Sequence, residues 1–350
     1  MKRALIVSQN FNPGHVSHLV AGYKQFQELG FQPSLLLDRA FKDFIPQGIE
    51  AIFTDEKNRL PKVEVAFILF PSLKNPGLIR SLRLQGTTVL YLFHEPLKSI
   101  GEFKKAGFSF KYLLKLRVID AVNAYTVNKS NIVLLPSRKA EANYKSNPKY
   151  KNKRSEYLPL MFDDESDGNV AGNDRPYFSY IGTVAADHSF EEFLQFVTRA
   201  LKDERMKNFK FLIATKSEFA VPTELDNNPR VKIQKGKPLT NEQINLAYAS
   251  SLAVWNAYAR TTQSGVLAKA YMFGTPAVVM NRNLNEYMKP GETVEIINDN
   301  SDYEDIRSAV EKIAANPRNY QNNCRNFFLE NFHYRNYNDQ MERLLDKVGK

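Results

Sequence analysis

The sequence has a single cysteine, Cys324, among its 350 residues. One thiol excludes a disulfide framework and a cysteine-based metal cluster, and it fits a reducing cytoplasm. Apolar runs of 18 residues are also missing, so no membrane-spanning helix is predicted. The residues Arg3–Val7 already have the pattern of a β-strand, and we therefore expect no secretory signal. The five histidines are scattered: His15 and His18 lie three apart, but without nearby acidic residues, so no metal site is predicted.

Charge is unevenly distributed along the chain. Residues 1–160 hold 25 Lys and Arg against 12 Asp and Glu, whereas residues 161–350 hold 23 against 26. The change coincides with the polar stretch DDESDGNVAGNDRP, residues 163–176, which has the composition of an interdomain linker. An apolar content of 43% is ample for two cores. We therefore predict two domains, at 1–162 and 177–332, followed by a final helical segment at 333–350.

Both halves alternate apolar strands with helical patterns. The first half predicts helices at His15–Leu29, Pro76–Gln85 and Lys139–Lys145 between strands at Ala4–Ser8, Ser34–Leu37, Ala51–Phe53, Val63–Phe70, Thr88–Phe93 and Ile132–Leu135. The second half predicts helices at Ser189–Lys202, Asn241–Ser250, Gly265–Phe273 and Tyr303–Asn316 between strands at Tyr177–Ile181, Phe209–Ala214, Val231–Gln234, Leu252–Asn256, Ala277–Met280 and Val294–Ile297. Such alternation predicts two parallel sheets, each covered by helices on both faces. Because ligands bind beyond the carboxyl ends of such strands, we expect two domains that face a cleft.

The most informative segment is TTQSGVLAKAYMFGTPAVVMN, residues 261–281. Its predicted helix, Gly265–Phe273, is ended by Gly274 in the left-handed conformation, and Pro276 prevents it from continuing. Four polar residues, 261–264, stand directly before the helix, where free backbone N–H groups carry partial positive charge. The arrangement suits a phosphate or pyrophosphate. Considered alone, it also fits any ordinary strand–helix unit.

The chain resembles the glycosyltransferases of the GT-B fold, and most of all family 4, the bacterial "group 1" transferases. SQNFNPGHVSHLVAGYKQFQELGF resembles the first strand, glycine loop and helix of that family, YLFHEP its strand-end histidine segment, and NIVLLPSRKAEANY the element before the linker. YFSYIGTVAADHSFEEFLQF resembles the start of the donor domain. NFHYRNYNDQMERLL resembles the last helix, which in this fold crosses back to the first domain. The resemblance implies an α/β protein of two Rossmann-like, doubly wound domains.

The sequence departs from family 4 at the donor loop. The two glutamates of that family align with Thr261 and Lys269, and neither is acidic. The family's phosphate-binding Arg and Lys align with Thr183 and His188. The segment instead resembles a QSGV variant, in which polar side chains and backbone N–H groups meet the donor. Positive charge for a phosphate is then expected from Arg260, Lys216 or Lys269. Two interpretations remain: a rewired donor pocket, which we favour, or a weakened one.

The candidate site residues follow from the predicted strand ends and from the resemblance to the GT-B family. Those expected to bind the donor and its phosphates are Gly182, Thr183, His188, Lys216, Arg260, Thr262, Gln263, Ser264, Gly265 and Lys269. Gly14 and His15 follow the first strand and Glu95 follows a later one, so these three are expected to line the acceptor side of the cleft. His94, beside Glu95, is the catalytic candidate. The alternatives are an ordinary turn at Gly14 and His15, local backbone partners for His94 and Glu95, and a helix cap at His188.

The chemistry that the resemblance implies is transfer of a sugar from a nucleoside diphosphate to an acceptor hydroxyl, with retention of the anomeric configuration. Helix N-termini and basic side chains would stabilise the leaving diphosphate, so neither a metal nor a further cofactor is expected. The expected role is synthesis of a bacterial surface polysaccharide, lipopolysaccharide or glycolipid. A catalytically silent GT-B protein that binds carbohydrate or acts in assembly is the alternative, and an epimerase of the same fold is a third hypothesis.

A basic segment, residues 98–154, holds 14 basic and 3 acidic residues. Lys104, Lys105, Lys111, Lys115 and Arg117 alternate there with aromatic and leucine side chains. This mixture suits an interfacial helix on anionic lipid. Basic patches also bind nucleic acids, but no nucleic-acid module accompanies this one. We therefore expect an anionic membrane surface as a partner, no nucleic acid, and a cytoplasmic protein that is peripheral on the inner face of the cell membrane. A merely solvated basic face is the alternative.

Overall fold

The computed structural model describes residues 1–55, 60–97, 101, 110–150, 153–166, 174–259 and 263–348. The chain divides into two compact units. Unit 1 comprises Met1–Asp163 together with Tyr334–Lys350, and unit 2 comprises Asp164–His333. Each unit contains one parallel sheet with helices packed on it. The predicted fold class, two Rossmann-like α/β domains, is confirmed.

Unit 1 is built on a seven-stranded sheet. Its strands are β1 Lys2–Ser8, β2 Phe31–Leu37, β3 Ala51–Phe53, β4 Val65–Ile68, β5 Thr88–Leu92, β6 Ile132–Leu135 and β7 Ser155–Tyr157. The helices described between them are α1 Val16–Glu28, α2 Asn75–Leu84, α3 Phe110–Lys129 and α4 Arg138–Ser146. The strand order is β3-β2-β1-β4-β5-β6-β7, and all neighbours are parallel. The order reverses between β1 and β4, where ligands bind in sheets of this kind.

Unit 2 is built on a six-stranded sheet. Its strands are β8 Tyr177–Ile181, β9 Lys210–Ala214, β10 Val231–Gln234, β11 Ser251–Asn256, β12 Ala277–Met280 and β13 Val294–Ile297. Its helices are α5 Phe190–Ala200, α6 Asn241–Ala249, α7 Gly265–Met272, α8 Tyr303–Ala315 and α9 Pro317–Asn331. The order β10-β9-β8-β11-β12-β13 reverses between β8 and β11. Trp255, on β11, is fully buried against Phe178 and Phe193 and belongs to the core.

The final helix, α10 Asn338–Val348, belongs to unit 1. The backbone N–H of Tyr334 donates to the carbonyl of Phe162 over 3.0 Å, and the hydroxyl of Tyr334 donates to Glu28 over 2.7 Å. The amide of Gln25, on α1, donates to Asn338 over 3.3 Å. The predicted return of the last helix to the first domain is therefore confirmed.

Some elements differ from their sequence predictions. The strand predicted at Val63–Phe70 is shorter at both ends and spans Val65–Ile68, although the backbone N–H of Leu69 still donates to the Val7 carbonyl on β1 over 3.1 Å. β7 was not predicted, because its three residues are polar or aromatic and lie at a sheet edge. α9 was not predicted either, since its apolar face rests on only four buried side chains, Tyr320, Cys324, Phe327 and Phe328. Of the predicted linker, residues 167–173 lie outside the described part of the chain.

Candidate functional site

The loop after β8 runs close to the end of β11 and to the first turn of α7. Gly182 has φ +143°, a conformation that side chains rarely adopt. A Cβ placed there would lie 3.9 Å from the Tyr258 hydroxyl and 3.9 Å from Cγ2 of Val266. Because residue 182 is a glycine, no side chain covers the backbone of this loop at the point where the strand order of unit 2 reverses.

His188 is held in place at this loop by three contacts. Its Nδ1 donates to the carbonyl oxygen of Thr183 over 2.8 Å, since a carbonyl can only accept. Its ring stacks on Tyr258, with centroids 4.3 Å apart and planes 11° apart. The indole N–H of Trp255 donates to the His188 carbonyl over 3.3 Å. These contacts fix the imidazole, and in the neutral ring they place the proton on Nδ1 and leave Nε2 as the acceptor nitrogen.

The N-terminus of α7 is not capped by a side chain of its own. Ser264 stands at the N-cap position, but it makes no side-chain hydrogen bond to the helix. Its hydroxyl instead accepts from the amide of Asn256, the last residue of β11, over 2.8 Å. Ser264 and Gln263 are both buried. The side chain of Ser264 therefore does not cap the backbone N–H groups of the first turn, which begin at Gly265. Such N–H groups carry partial positive charge and can bind an anion.

Two lysines were predicted as donor ligands, and the structure places them differently. Lys216 follows β9 and is half-buried, and burial lowers the pKa of its ammonium. Lys269 is buried inside unit 2, where its Nζ lies 2.8 Å from a carboxylate oxygen of Glu165. This partner, 104 positions earlier in the chain, was not foreseen. The ammonium of Lys269 is therefore neutralised within the protein. Arg260 and Thr262, the other predicted donor ligands, lie outside the described residues.

In unit 1, Gly14 and His15 lie in a short turn after β1. The side chain of Asn12 accepts from the Gly14 N–H over 3.3 Å, and its amide nitrogen lies 3.4 Å from Nε2 of His15. The imidazole of His15 stacks on Phe70, with centroids 3.5 Å apart and planes 4° apart. Phe70 follows β4, so this contact spans the point where the strand order of unit 1 reverses.

His94, the predicted catalytic residue, joins the same group from the end of β5. Its ring lies 4.8 Å from Phe70 and 6.4 Å from His18, measured between centroids. Burial, and then the charge of His18, lower the pKa of His94 to about 3, against the opposing effect of a hydrogen bond with the Leu69 backbone. The imidazole is therefore neutral at physiological pH. Glu95, the next residue, is exposed.

Sequence reasoning missed two members of this group, His18 and Phe70. His18 is buried in α1, and its Nδ1 donates to the Met161 carbonyl over 2.9 Å. The spacing of His15 and His18 was visible in the sequence, but the stacking partner that brings both to the end of β4 was not. Among the described residues, no group of three or more His, Cys, Asp or Glu side chains is placed to hold a metal ion.

The architecture is that of the GT-B fold: two Rossmann-like units, each with one reversal in the strand order of its parallel sheet, and a last helix that returns to the first unit. No model of a protein family matches the sequence, and no curated protein matches it. Membership of family 4 and the QSGV variant thus stay predictions.

Solved structures match over nearly the whole chain. Sucrose-phosphate synthase from Thermosynechococcus elongatus is 14% identical, with a TM-score of 0.69 and 99% of each chain covered. Anabaena HepE in complex with UDP and glucose is 12% identical, with a TM-score of 0.71, covering 99% of this chain and 100% of that one. A glycosyltransferase from Rickettsia africae is also 12% identical, with a TM-score of 0.69, covering 100% of this chain and 99% of that one. At such identities the likeness shows the fold.

Proposed function

We propose that the protein is a glycosyltransferase that moves a sugar from a nucleoside-diphosphate donor to an acceptor hydroxyl. Proteins of the same fold support this proposal, because Anabaena HepE carries UDP, UDP with glucose, or UDP-glucose in its solved structures. The observation in this chain that carries the proposal is the N-terminus of α7, which the side chain of Ser264 does not cap and which stands beside Gly182.

The donor diphosphate would lie at this end of unit 2. The first-turn N–H groups of α7, from Gly265 onwards, meet the negative charge that grows on the leaving diphosphate. Gln263 and Ser264 supply polar side chains next to that turn, and Lys216 supplies a basic one from the loop after β9. The ring of His188 is already oriented by Thr183 and Tyr258, so it meets the donor without a further loss of side-chain freedom.

We assign His94 to the reacting end of the transferred sugar. A neutral imidazole can accept or donate a hydrogen bond without bringing a charge into the site. Because its pKa is lowered to about 3, it keeps this state throughout the physiological range. Gly14, His15 and Glu95 would contact the acceptor, and retention of configuration without a metal completes the proposed mechanism.

The proposal extends to the biological role. We assign the enzyme to the synthesis of a bacterial surface polysaccharide, lipopolysaccharide or glycolipid, in the cytoplasm and peripherally at the inner face of the membrane. Among the described residues, no helix is long and apolar enough to cross a membrane. The support for a membrane position is the basic segment of unit 1, because a lipid-linked acceptor would present its sugar at an anionic surface.

The first experiment is a thermal-shift screen of nucleoside diphosphates and nucleotide sugars. A ligand present at about 100 times its Kd stabilises the native state by about 2.7 kcal/mol, which raises the melting temperature measurably. We expect one nucleoside diphosphate and its sugar conjugate to stabilise the protein. A protein that no nucleotide stabilises would contradict the proposal.

The matched variant is Gly265→Val, with Gly77→Val as its control. A valine at the first residue of α7 would obstruct the approach of a phosphate to the backbone, so donor binding and turnover should be lost in a folded protein. Gly77 lies in α2, where an added Cβ would meet nothing within 4 Å, and its replacement should leave donor binding unchanged. Wild-type donor affinity in Gly265→Val would show that α7 is not the phosphate site.

A second candidate function, a catalytically silent GT-B protein that binds carbohydrate, is favoured by one observation. Lys269 occupies a position where the resemblance places a glutamate, and its ammonium is paired with Glu165. A turnover assay with the nucleotide sugar that the screen identifies separates the two functions. A silent protein would bind that nucleotide sugar or a saccharide but would neither transfer nor hydrolyse the sugar over many hours.

A further inference from the structure

The outer face of α3 in unit 1 carries an exposed apolar strip. Phe110, Leu114, Val118 and Tyr125 are 77%, 53%, 50% and 38% exposed. At about 100° per residue, these four side chains fall within an arc of about 80° on the helix, and they extend along it for about 22 Å. We call this surface the α3 strip. Large apolar side chains that line up in this way on a water-facing helix mark an interaction surface.

The opposite face of α3 is fixed by packing, so the α3 strip is not a core surface that has turned outward. Leu116 and Val127 are buried on that face. Asp120, also buried, accepts from the hydroxyl of Tyr150 over 2.5 Å and pairs with Lys149. Asn123 accepts from the hydroxyl of Tyr91 over 3.2 Å. These polar anchors hold the rotation of the helix, and they also prevent it from being buried on all sides in lipid.

Basic side chains flank the strip. Lys111, Lys115, Arg117 and Lys129 are all exposed on α3, whereas the acidic residue of this helix, Asp120, faces inward and is paired. None of the four basic side chains forms an ion pair with another residue that the structure describes. The outer face of α3 thus combines a continuous apolar strip with a net positive charge.

We propose that α3 docks unit 1 on an anionic lipid surface, with the α3 strip entering the headgroup–acyl boundary and the flanking basic residues contacting the headgroups. An apolar strip bordered by Lys and Arg is the pattern of a helix that lies in the plane of a membrane. Charge complementarity selects anionic lipid, and each basic residue near such a surface strengthens binding about fivefold. A nucleic-acid phosphate backbone would use the same charges but would leave the apolar strip in water. This inference rests on the proposed peripheral membrane position of the protein and not on the proposed transfer reaction.

A single tryptophan substitution can report the depth of docking. The chain has one tryptophan, Trp255, and it is fully buried in unit 2. A change in tryptophan fluorescence on adding vesicles would therefore come from a second tryptophan placed on the α3 strip. We expect the fluorescence of Leu114→Trp to shift to shorter wavelength with vesicles containing about one third phosphatidylglycerol, and not with pure phosphatidylcholine vesicles. The control is Leu246→Trp, at an exposed leucine on α6 in unit 2, which should not shift.

Two double variants separate the contributions of charge and apolar surface. In vesicle sedimentation, Lys111→Gln with Lys115→Gln should reduce the partition coefficient about 25-fold and flatten its dependence on salt. Leu114→Gln with Val118→Gln should reduce binding while keeping the salt dependence. The control pair Lys202→Gln with Lys207→Gln, at exposed lysines of unit 2, should bind like the unchanged protein.

Several outcomes would overturn the inference. Binding that ignores lipid charge and salt would do so, as would wild-type partitioning of both double variants. Binding to a DNA duplex that is lost in the lysine variant but kept in the Leu114→Gln with Val118→Gln variant would assign the face to nucleic acid. Self-association that this apolar variant abolishes, in sedimentation velocity without lipid, would assign the strip to a second copy of the chain. Nucleotide-induced thermal stabilisation of every variant is measured in parallel, so that failure of docking is distinguished from failure of the proposed reaction.

Discussion

The ion pair between Lys269 and Glu165 gives a sharp test of what Lys269 does. Its Nζ–Oε2 distance is 2.8 Å, and the two side chains are only 6% and 15% exposed. Glu165 also accepts hydrogen bonds from the amides of Asn241 and Asn245, both on α6. Removing one partner of a buried pair leaves an uncompensated charge and costs about 3–5 kcal/mol. Because those amides continue to stabilise the carboxylate, we expect Lys269→Met to cost about 3 kcal/mol, at the lower end of this range.

The assay is urea denaturation followed by the fluorescence of Trp255, which lies in the core of the same unit. Glu165→Gln should cost a similar amount, because it leaves the ammonium without its carboxylate. The double variant Lys269→Met with Glu165→Gln should cost at least about 2 kcal/mol less than the sum of the two single variants, since no buried charge remains. Lys202→Met is the matched control: its pair with Glu224 spans 3.5 Å, with side chains 68% and 46% exposed, and should contribute about 0–1 kcal/mol.

Two results would refute this account of Lys269. One is a Lys269→Met variant whose free energy of unfolding lies within about 1 kcal/mol of the Lys202→Met value. The other is a tenfold loss of nucleoside-diphosphate affinity in Lys269→Met at unchanged stability. That result would show that Lys269 binds the donor phosphates, as the sequence predicted.

Two further predictions concern pH and metal. Because the pKa of His94 is lowered to about 3 from an ordinary value of about 6.5, the unfolded chain binds more protons between these limits. The free energy of unfolding should therefore fall by up to about 1.4 kcal/mol per pH unit as the pH drops below about 6.5, and His94→Gln should lessen this slope in urea titrations at pH 4.5, 5.5 and 7. Transfer activity should survive excess EDTA, because helix N-termini and basic side chains meet the diphosphate charge; complete loss with rescue by Mn²⁺ would argue for a metal-dependent mechanism.

Strands were the part of the fold that could be predicted most closely from the sequence. Ile132–Leu135 and Ala277–Met280 begin and end where their patterns predict. Buried parallel strands are short apolar runs bounded by turn residues, so the local sequence carries both ends of the element. α9 escaped prediction because only tertiary packing selects its few buried side chains from a largely polar sequence.

Positions at strand ends were predictable within the candidate site, but contacts between distant residues were not. Gly182, His94 and Gly265 follow from where strands stop and helices start. The stacking of His15 on Phe70 joins residues 55 positions apart, and the partner of Lys269 comes from the segment that its composition assigned to a linker. A single sequence carries no signal for such pairs, because each residue type is common and only the folded chain brings the two side chains together.

The return of α10 to unit 1 has a consequence for synthesis on the ribosome. Unit 2 is one continuous stretch, Asp164–His333, but unit 1 is interrupted by it. At about 5–20 residues per second, the roughly 170 intervening residues take about 10–30 s to translate. Throughout that interval Gln25 and Glu28 lack the hydrogen-bond partners that Tyr334 and Asn338 later provide. The domain that leaves the ribosome first is therefore the last to be completed.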